Sequence, residues 1–168
     1  MMIETERLIL SPPMLADFEA GHALFGDERV TTYLGGPMGR EDMWKNLLRN
    51  IGHWSAFGYG IFTVREKQGG RLVGQAGLAH FERGFGEAFD PHPEAAWIIA
   101  ADAQGKGYAT EAVQAAHGWL AAQRGAERTV CLIHPDNQPS QGVAAKLGYQ
   151  RFGEVRHRDA PGVMFARE

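Results

Sequence analysis

One junction constrains this chain more than any other feature. Residues 94–101, "EAAWIIAA", are apolar after the first position and run into "DAQGKGYAT". Beyond it Ala109, Ala112, Val113, Ala116 and Leu120 recur at helical spacing as far as Gly125, a residue suited to ending a helix. A strand therefore enters a glycine-bearing turn and a helix leaves it. Such a turn lets backbone N–H groups come close to an anion at a helix N-terminus. The question is which anion.

The remaining pattern sets the fold class. "TERLILSPP" reads as a first strand stopped by Pro12 and Pro13, and Met14, Leu15, Phe18, His22 and Phe25 follow at helical spacing. After Gly35, Gly36, Pro37 and Gly39, acidic Glu41 and Asp42 open a second helix whose apolar face is Trp44, Leu47, Leu48, Ile51 and Trp54. Residues 59–65 and 71–79 form a hairpin around "EKQGG". The stretch from His80, "HFERGFGEAFDPHP", is a loop, and 94–101 is the fourth strand. Residues 129–133 are apolar on both faces, as in the interior of a sheet. Pro139 opens a last helix ending at Gly148, and two short β-runs from Tyr149 and Val163 follow. The expectation is one domain over residues 1–168, a mixed α/β sheet rather than a regular βαβ array.

Composition narrows the partners. The net charge of -3 offers no basic face for nucleic acid. Cys131 is the single cysteine and sits in an apolar run, which suits core packing in a reducing compartment. The opening "MMIETERLIL" lacks the charge pattern of a signal peptide, and no apolar stretch approaches the roughly 18 residues of a membrane span. The seven histidines are scattered and no metal-ligand spacing occurs, so no metal is expected. The expected setting is the cytoplasm, as a monomer or homodimer.

Three phosphate-binding templates compete for residues 102–110. A P-loop fails, because Gly107 and not Ser or Thr follows Lys106. A dinucleotide fingerprint fits poorly: Thr110 stands where its third glycine or alanine belongs, and two regular βαβαβ halves are absent. The template Gln/Arg-x-x-Gly-x-Gly/Ala is matched at every position by Gln104, Gly107 and Ala109. With it, "NQPSQGVAAKLGYQRFGE" after a buried strand resembles the second block of the GNAT superfamily of acetyl-coenzyme A-dependent N-acetyltransferases. The opening "ETERLIL" and the strand order further resemble its ribosomal-protein N-terminal (RimJ/RimL-like) branch.

That resemblance implies a mostly antiparallel sheet, splayed between the fourth and fifth predicted strands and flanked by helices. It makes the anion the pyrophosphate of acetyl-coenzyme A, held by the N–H groups of Gln104, Gly105, Lys106, Gly107, Tyr108, Ala109 and Thr110. It places pantetheine against the backbone of Trp97 and Ile99, as an added strand would lie. Asn137 matches a cofactor-side asparagine, although capping the helix opened by Pro139 explains it equally well. Lys146 matches a ribose-phosphate contact, although a lysine at a helix C-terminus is also favoured by the dipole.

For catalysis, Glu94 at the mouth of the cofactor strand is the expected general base, acting through water, with His92 and Asp90 as second choices. Many relatives carry a tyrosine acid where this chain has Ala144, so Ser140 is the expected donor to the leaving sulfur. Its other role is in the first helical turn. The acceptor amine should lie between residues 14–57 and the loop 81–93, whose Glu82, Glu87 and Asp90 would suit a cation. A catalytically silent coenzyme A-binding domain is the alternative with the same motifs.

Overall fold

The first predicted strand is in fact two. Thr5 closes a tight turn, its Oγ1 accepting the Leu8 N–H at 2.9 Å. This folds Ile3–Glu4 (β1) antiparallel onto Leu8–Ser11 (β2). In the computed structural model, which describes residues 1–168, one sheet of eight strands runs through the molecule in the order β1-β2-β3-β4-β5-β6-β8-β7. The others are Ile61–Glu66 (β3), Leu72–Ala79 (β4), Glu94–Ile99 (β5), Thr129–Ile133 (β6), Gln150–His157 (β7) and Ala160–Arg167 (β8). Every neighbouring pair is antiparallel except β5 with β6. The extra hairpin makes β5 and β6 the strands expected as fourth and fifth.

One face is covered by Phe18–Phe25 (α1), Glu28–Thr31 (α2) and Arg40–Phe57 (α3). Leu24, Phe25, Met43 and Leu47 are buried there against Ile98 and Ala100. Before α1 a 3-10 turn carries Asp17, which is 1% exposed and would be costly without partners. It accepts from Thr63 Oγ1 at 2.9 Å and Arg65 Nη2 at 2.6 Å, fixing the helical layer to β3. The opposite face carries Tyr108–Arg124 (α4) and Gln138–Lys146 (α5). The main core lies beneath them, including Phe62, Val64, Val113, Leu120, Cys131 and Phe165. A third cluster, Phe89 with Val130 and Ala166, ties the long loop to β6 and β8.

Two boundaries moved. β5 stops at Ile99 because the Ala100 carbonyl accepts from the N–H groups of Ala103 and Gln104, turning the chain off the sheet. β8 begins at Ala160 rather than Val163, because Arg158 and Asp159 take the left-handed conformation (φ 50° and 63°) and close a longer β7–β8 ribbon.

Candidate active site

The parallel partners β5 and β6 touch at one register pair, Glu94 with Val130. The Val130 N–H donates to the Pro93 carbonyl at 3.0 Å. Beyond that point the strands diverge. At the other end of β5, the Ala100 N–H donates to Val73 of β4. Backbone direction alternates along a strand, so Ala96 and Ile98 share the direction of Ala100 while Ala95, Trp97 and Ile99 face the gap with Pro93. The two residues expected to meet pantetheine therefore present their N–H groups to an opened sheet.

The gap leads to the glycine turn. Gly105 and Gly107 have φ of 77° and 82°, values that cost little only for glycine. From Gly105 through Thr110, six consecutive N–H groups donate to no protein acceptor; the next, from Glu111, reaches the Gly107 carbonyl at 3.1 Å. A helix leaves its first four N–H groups unpaired in any case. Here the turn adds two more, giving a continuous donor surface at the positive end of α4. Gln104 turns inward instead, and its side-chain N–H₂ donates to the Ile99 carbonyl at 2.9 Å. The Tyr108 hydroxyl donates to Glu66 at 3.0 Å. Beside the turn, Gly107, Thr110, Glu111, Gln114, Glu6 and Lys146 line an open concavity of about 400 Å³. Lys146, 36 residues further on than Thr110 in sequence, thus faces the same space.

At the other end of the gap stands Glu94. It is 4% exposed, and both its oxygens are held by Arg83, at 2.7 and 2.8 Å. Burial pushes its pKa up while the Arg83 guanidinium pulls it down. The third nitrogen of Arg83 lies 3.2 Å from His157 Nε2. Of the second choices, Asp90 is held below the usual carboxylate range by backbone N–H groups, its Oδ2 accepting from Gly86 at 2.6 Å. His92 is half-buried and joins no side-chain contact of this cluster. Asn137 caps α5, accepting the Ser140 N–H at 3.2 Å, and the Ser140 hydroxyl bonds no protein group. Cys131 is 1% exposed, and burial raises its thiol pKa far beyond the nucleophilic range.

Residues 7–150 match the acetyltransferase (GNAT) domain family. The chain belongs to the GNAT acetyltransferases. Among its relatives, the uncharacterized N-acetyltransferase YnaD of Bacillus subtilis is 29% identical over 155 residues, which is 91% of this chain and 85% of YnaD. A GnaT-family structure from Bordetella pertussis is 33% identical and superposes with a TM-score of 0.90, covering 100% of this chain and 99% of that one. An acetyl transferase from Salmonella typhimurium that modifies the N-terminal serine of a 50S ribosomal subunit protein shares the fold (TM-score 0.81) at 18% identity, covering 99% and 98% of the two chains. No helix of this GNAT protein is long and apolar enough to cross a membrane.

Several residues of the GNAT site escape sequence reading. Arg7 donates to the Lys106 carbonyl at 2.7 Å and to Glu111 Oε2 at 2.7 Å, and Thr5 Oγ1 donates to Glu111 Oε1 at 2.6 Å. The β1–β2 turn thereby clamps the glycine turn from outside. Arg83, which controls Glu94, lies 11 residues away in a loop with no periodicity. The quoted "ETERLIL" contained Thr5 and Arg7, but only the fold brings them to residues 106 and 111.

Proposed function

We propose that this enzyme transfers the acetyl group of acetyl-coenzyme A to a primary amine by direct attack on the thioester. One observation carries the reading: six unpaired N–H groups, at a helix N-terminus, open onto a gap between parallel strands. The donor surface fits a pyrophosphate and the gap fits an amide-bearing arm. Residues 104–110 would hold the pyrophosphate, Lys146 would meet a phosphate across the concavity, and Asn137 would keep the start of α5 in place beside the arm. At about 3.3 Å per residue, an arm running back along Ile99 and Trp97 puts its reactive end beside the middle of β5.

The reaction needs the ammonium to lose a proton, the carbonyl to be polarised and the thiolate to be protonated. The gap-facing N–H of Trp97 supplies a fixed dipole for the carbonyl oxygen. Glu94 takes the amine proton, through water given its burial. The free hydroxyl of Ser140, at the first turn of α5, donates a hydrogen bond to the departing thiolate, which takes its proton from solvent. No enzyme nucleophile is required.

Incubation with acetyl-coenzyme A and a broad amine panel, following free thiol, tests the reading. Enzyme-dependent thiol release with stoichiometric acetylated amine supports it. Cofactor binding with thiol release at the uncatalysed rate across the panel would leave the silent coenzyme A-binding domain in its place.

A further inference from the structure

The loop 81–93 carries acids that suggest a cationic acceptor; the folded loop engages two of them, while Glu87 stays exposed without a partner. Glu82 pairs with His80, Glu94 with Arg83, and Asp90 accepts from the Gly86 N–H. Two arginines at this end of the gap also lack a carboxylate partner. Arg49 of α3 has one side-chain partner, the neutral amide oxygen of Asn46 at 2.6 Å. Arg158 of the β7–β8 turn belongs to no ion pair, although exposed Asp159 follows it in the chain.

Arg49 and Arg83 meet over one ring, and Arg158 follows their neighbour His157 in the chain. The guanidinium carbons of Arg49 and Arg83 lie 5.7 and 4.7 Å from the centroid of the Phe81 ring. Arg83 reaches His157, the residue before Arg158. The groups feel each other: after burial, Arg83 and Arg158 are the causes that lower the pKa of both Arg49 and His157. Gathering like charges raises the free energy of the empty site, and a bound anion relieves it. Guanidinium groups are also suited to oxyanions, which they bind through paired N–H donors. Aromatic rings stand around them: Phe57 against His80, and Phe85 against His157.

We propose that Arg49 and Arg158 form an anion-binding subsite for the acceptor, so that the amine acetylated by this enzyme is a small molecule carrying a carboxylate or phosphate. The inference rests on the acetyltransferase reading, since Arg83 joins this cluster to Glu94 at the start of β5. Arg83 itself is committed to Glu94 and His157 and adds field rather than a direct contact.

Matched amines test it: L-phenylalanine against L-phenylalaninamide, and phosphoethanolamine against ethanolamine. At saturating acetyl-coenzyme A, the anionic member of at least one pair should be favoured about 10-fold or more in kcat/KM, as expected for a hydrogen-bonded charge. The pair that responds identifies carboxylate or phosphate. The double variant Arg49→Gln/Arg158→Gln should erase that preference by raising the acceptor KM, with the acetyl-coenzyme A KM unchanged. Comparing variant with parent cancels the difference in amine basicity within each pair.

Calorimetry on the coenzyme A-bound protein, with N-acetyl-L-phenylalanine against its carboxamide and N-acetyl-phosphoethanolamine against N-acetyl-ethanolamine, reads the subsite without turnover. Tighter binding of an anionic product, lost in the double variant, supports the subsite even if no amine is acetylated, in which case the acetyltransferase reading alone fails. Equal binding and equal kcat/KM within both pairs, or a preference that survives the double variant, overturns the proposal.

Discussion

Glu94 is subject to two opposed demands. Burial favours its neutral acid form, and the Arg83 fork favours its anion. A base poised between these influences can accept a proton if Arg83 slackens as the acceptor enters. Glu94→Gln keeps the shape and removes the basicity, so turnover at neutral pH should fall roughly 100-fold or more with little change in acetyl-coenzyme A affinity. The deficit should shrink as pH rises and more amine arrives neutral. A loss under about 10-fold, flat with pH, would remove Glu94 from proton transfer. A second residue-scale effect lies on the far face of the sheet, where His117 Nε2 meets the Tyr149 hydroxyl at 2.9 Å and Thr129 Oγ1 meets the same hydroxyl at 2.8 Å. Burial first, and then Arg167, lower the His117 pKa from 6.5 to about 4. Between those values the unfolded chain binds a proton that the folded chain refuses, so this contribution to stability is present above pH 6.5 and is lost as pH falls towards 4. The loss amounts to at most about 3 kcal/mol. Urea unfolding at pH 7 and pH 4.5 should show a smaller drop for His117→Gln than for the parent; equal drops would mean that the imidazole protonates freely in the native state.

At the scale of elements, the periodic stretches were legible and the clamps were not. α4, β4 and β6 emerge from apolar spacing because each buries one continuous face or run, which is the information that periodicity carries. In α3 the expected face is buried only in part, Trp44 and Leu48 being 40% and 44% exposed while Met43 and Asn50 are buried. The β1–β2 hairpin was hidden since two residues at Ile3–Glu4 are too few to alternate visibly. The glycine turn could be read from Gln104, Gly105 and Gly107, yet what holds its shape is Arg7, 99 residues from Lys106 and 104 from Glu111. Such side-chain bonds across the fold leave no local mark in a sequence. They are open to experiment. Gly107→Val places a branched side chain at φ 82° beside the donor surface, so it should lower the melting temperature somewhat and abolish most of the rise induced by coenzyme A. Arg7→Ala adds no bulk but frees the Lys106 carbonyl and Glu111, and should weaken coenzyme A binding about 3- to 30-fold through the turn alone. Full retention of the coenzyme A shift in Gly107→Val would move the anion site off this turn, while unchanged affinity in Arg7→Ala would show that the turn holds its shape unaided.

At the scale of the molecule, the sheet is two antiparallel halves joined at one pair. The connection between Glu94 and Val130 is reinforced by α4 and α5 on one face and by Phe89 packing on Val130 and Ala166 on the other. The apolar runs at 94–101 and 129–133 announced two strands, the first longer than the observed Glu94–Ile99, and the family resemblance implied their splay, but which amides face the gap depends on register and could only come from the fold. That alternation yields a prediction with a distinctive pattern. Ala96 and Ile98 point towards β4 and should exchange their amide hydrogens slowly. Trp97 and Ile99 point into the gap, lack a strand partner there and should exchange much faster, although all four belong to one strand. If an amide-bearing arm completes the sheet, coenzyme A should slow Trp97 and Ile99 selectively and flatten the alternation, while Ala96 and Ile98 change only as far as global stability rises with ligand occupancy. Residue-resolved exchange, with and without coenzyme A at saturating concentration, separates the two contributions. Uniform protection along β5 in the free protein would mean that the gap closes in solution. A uniform slowing on binding would place the ligand elsewhere, acting on stability alone. Selective slowing would locate the arm in the one break that the sheet leaves between its halves.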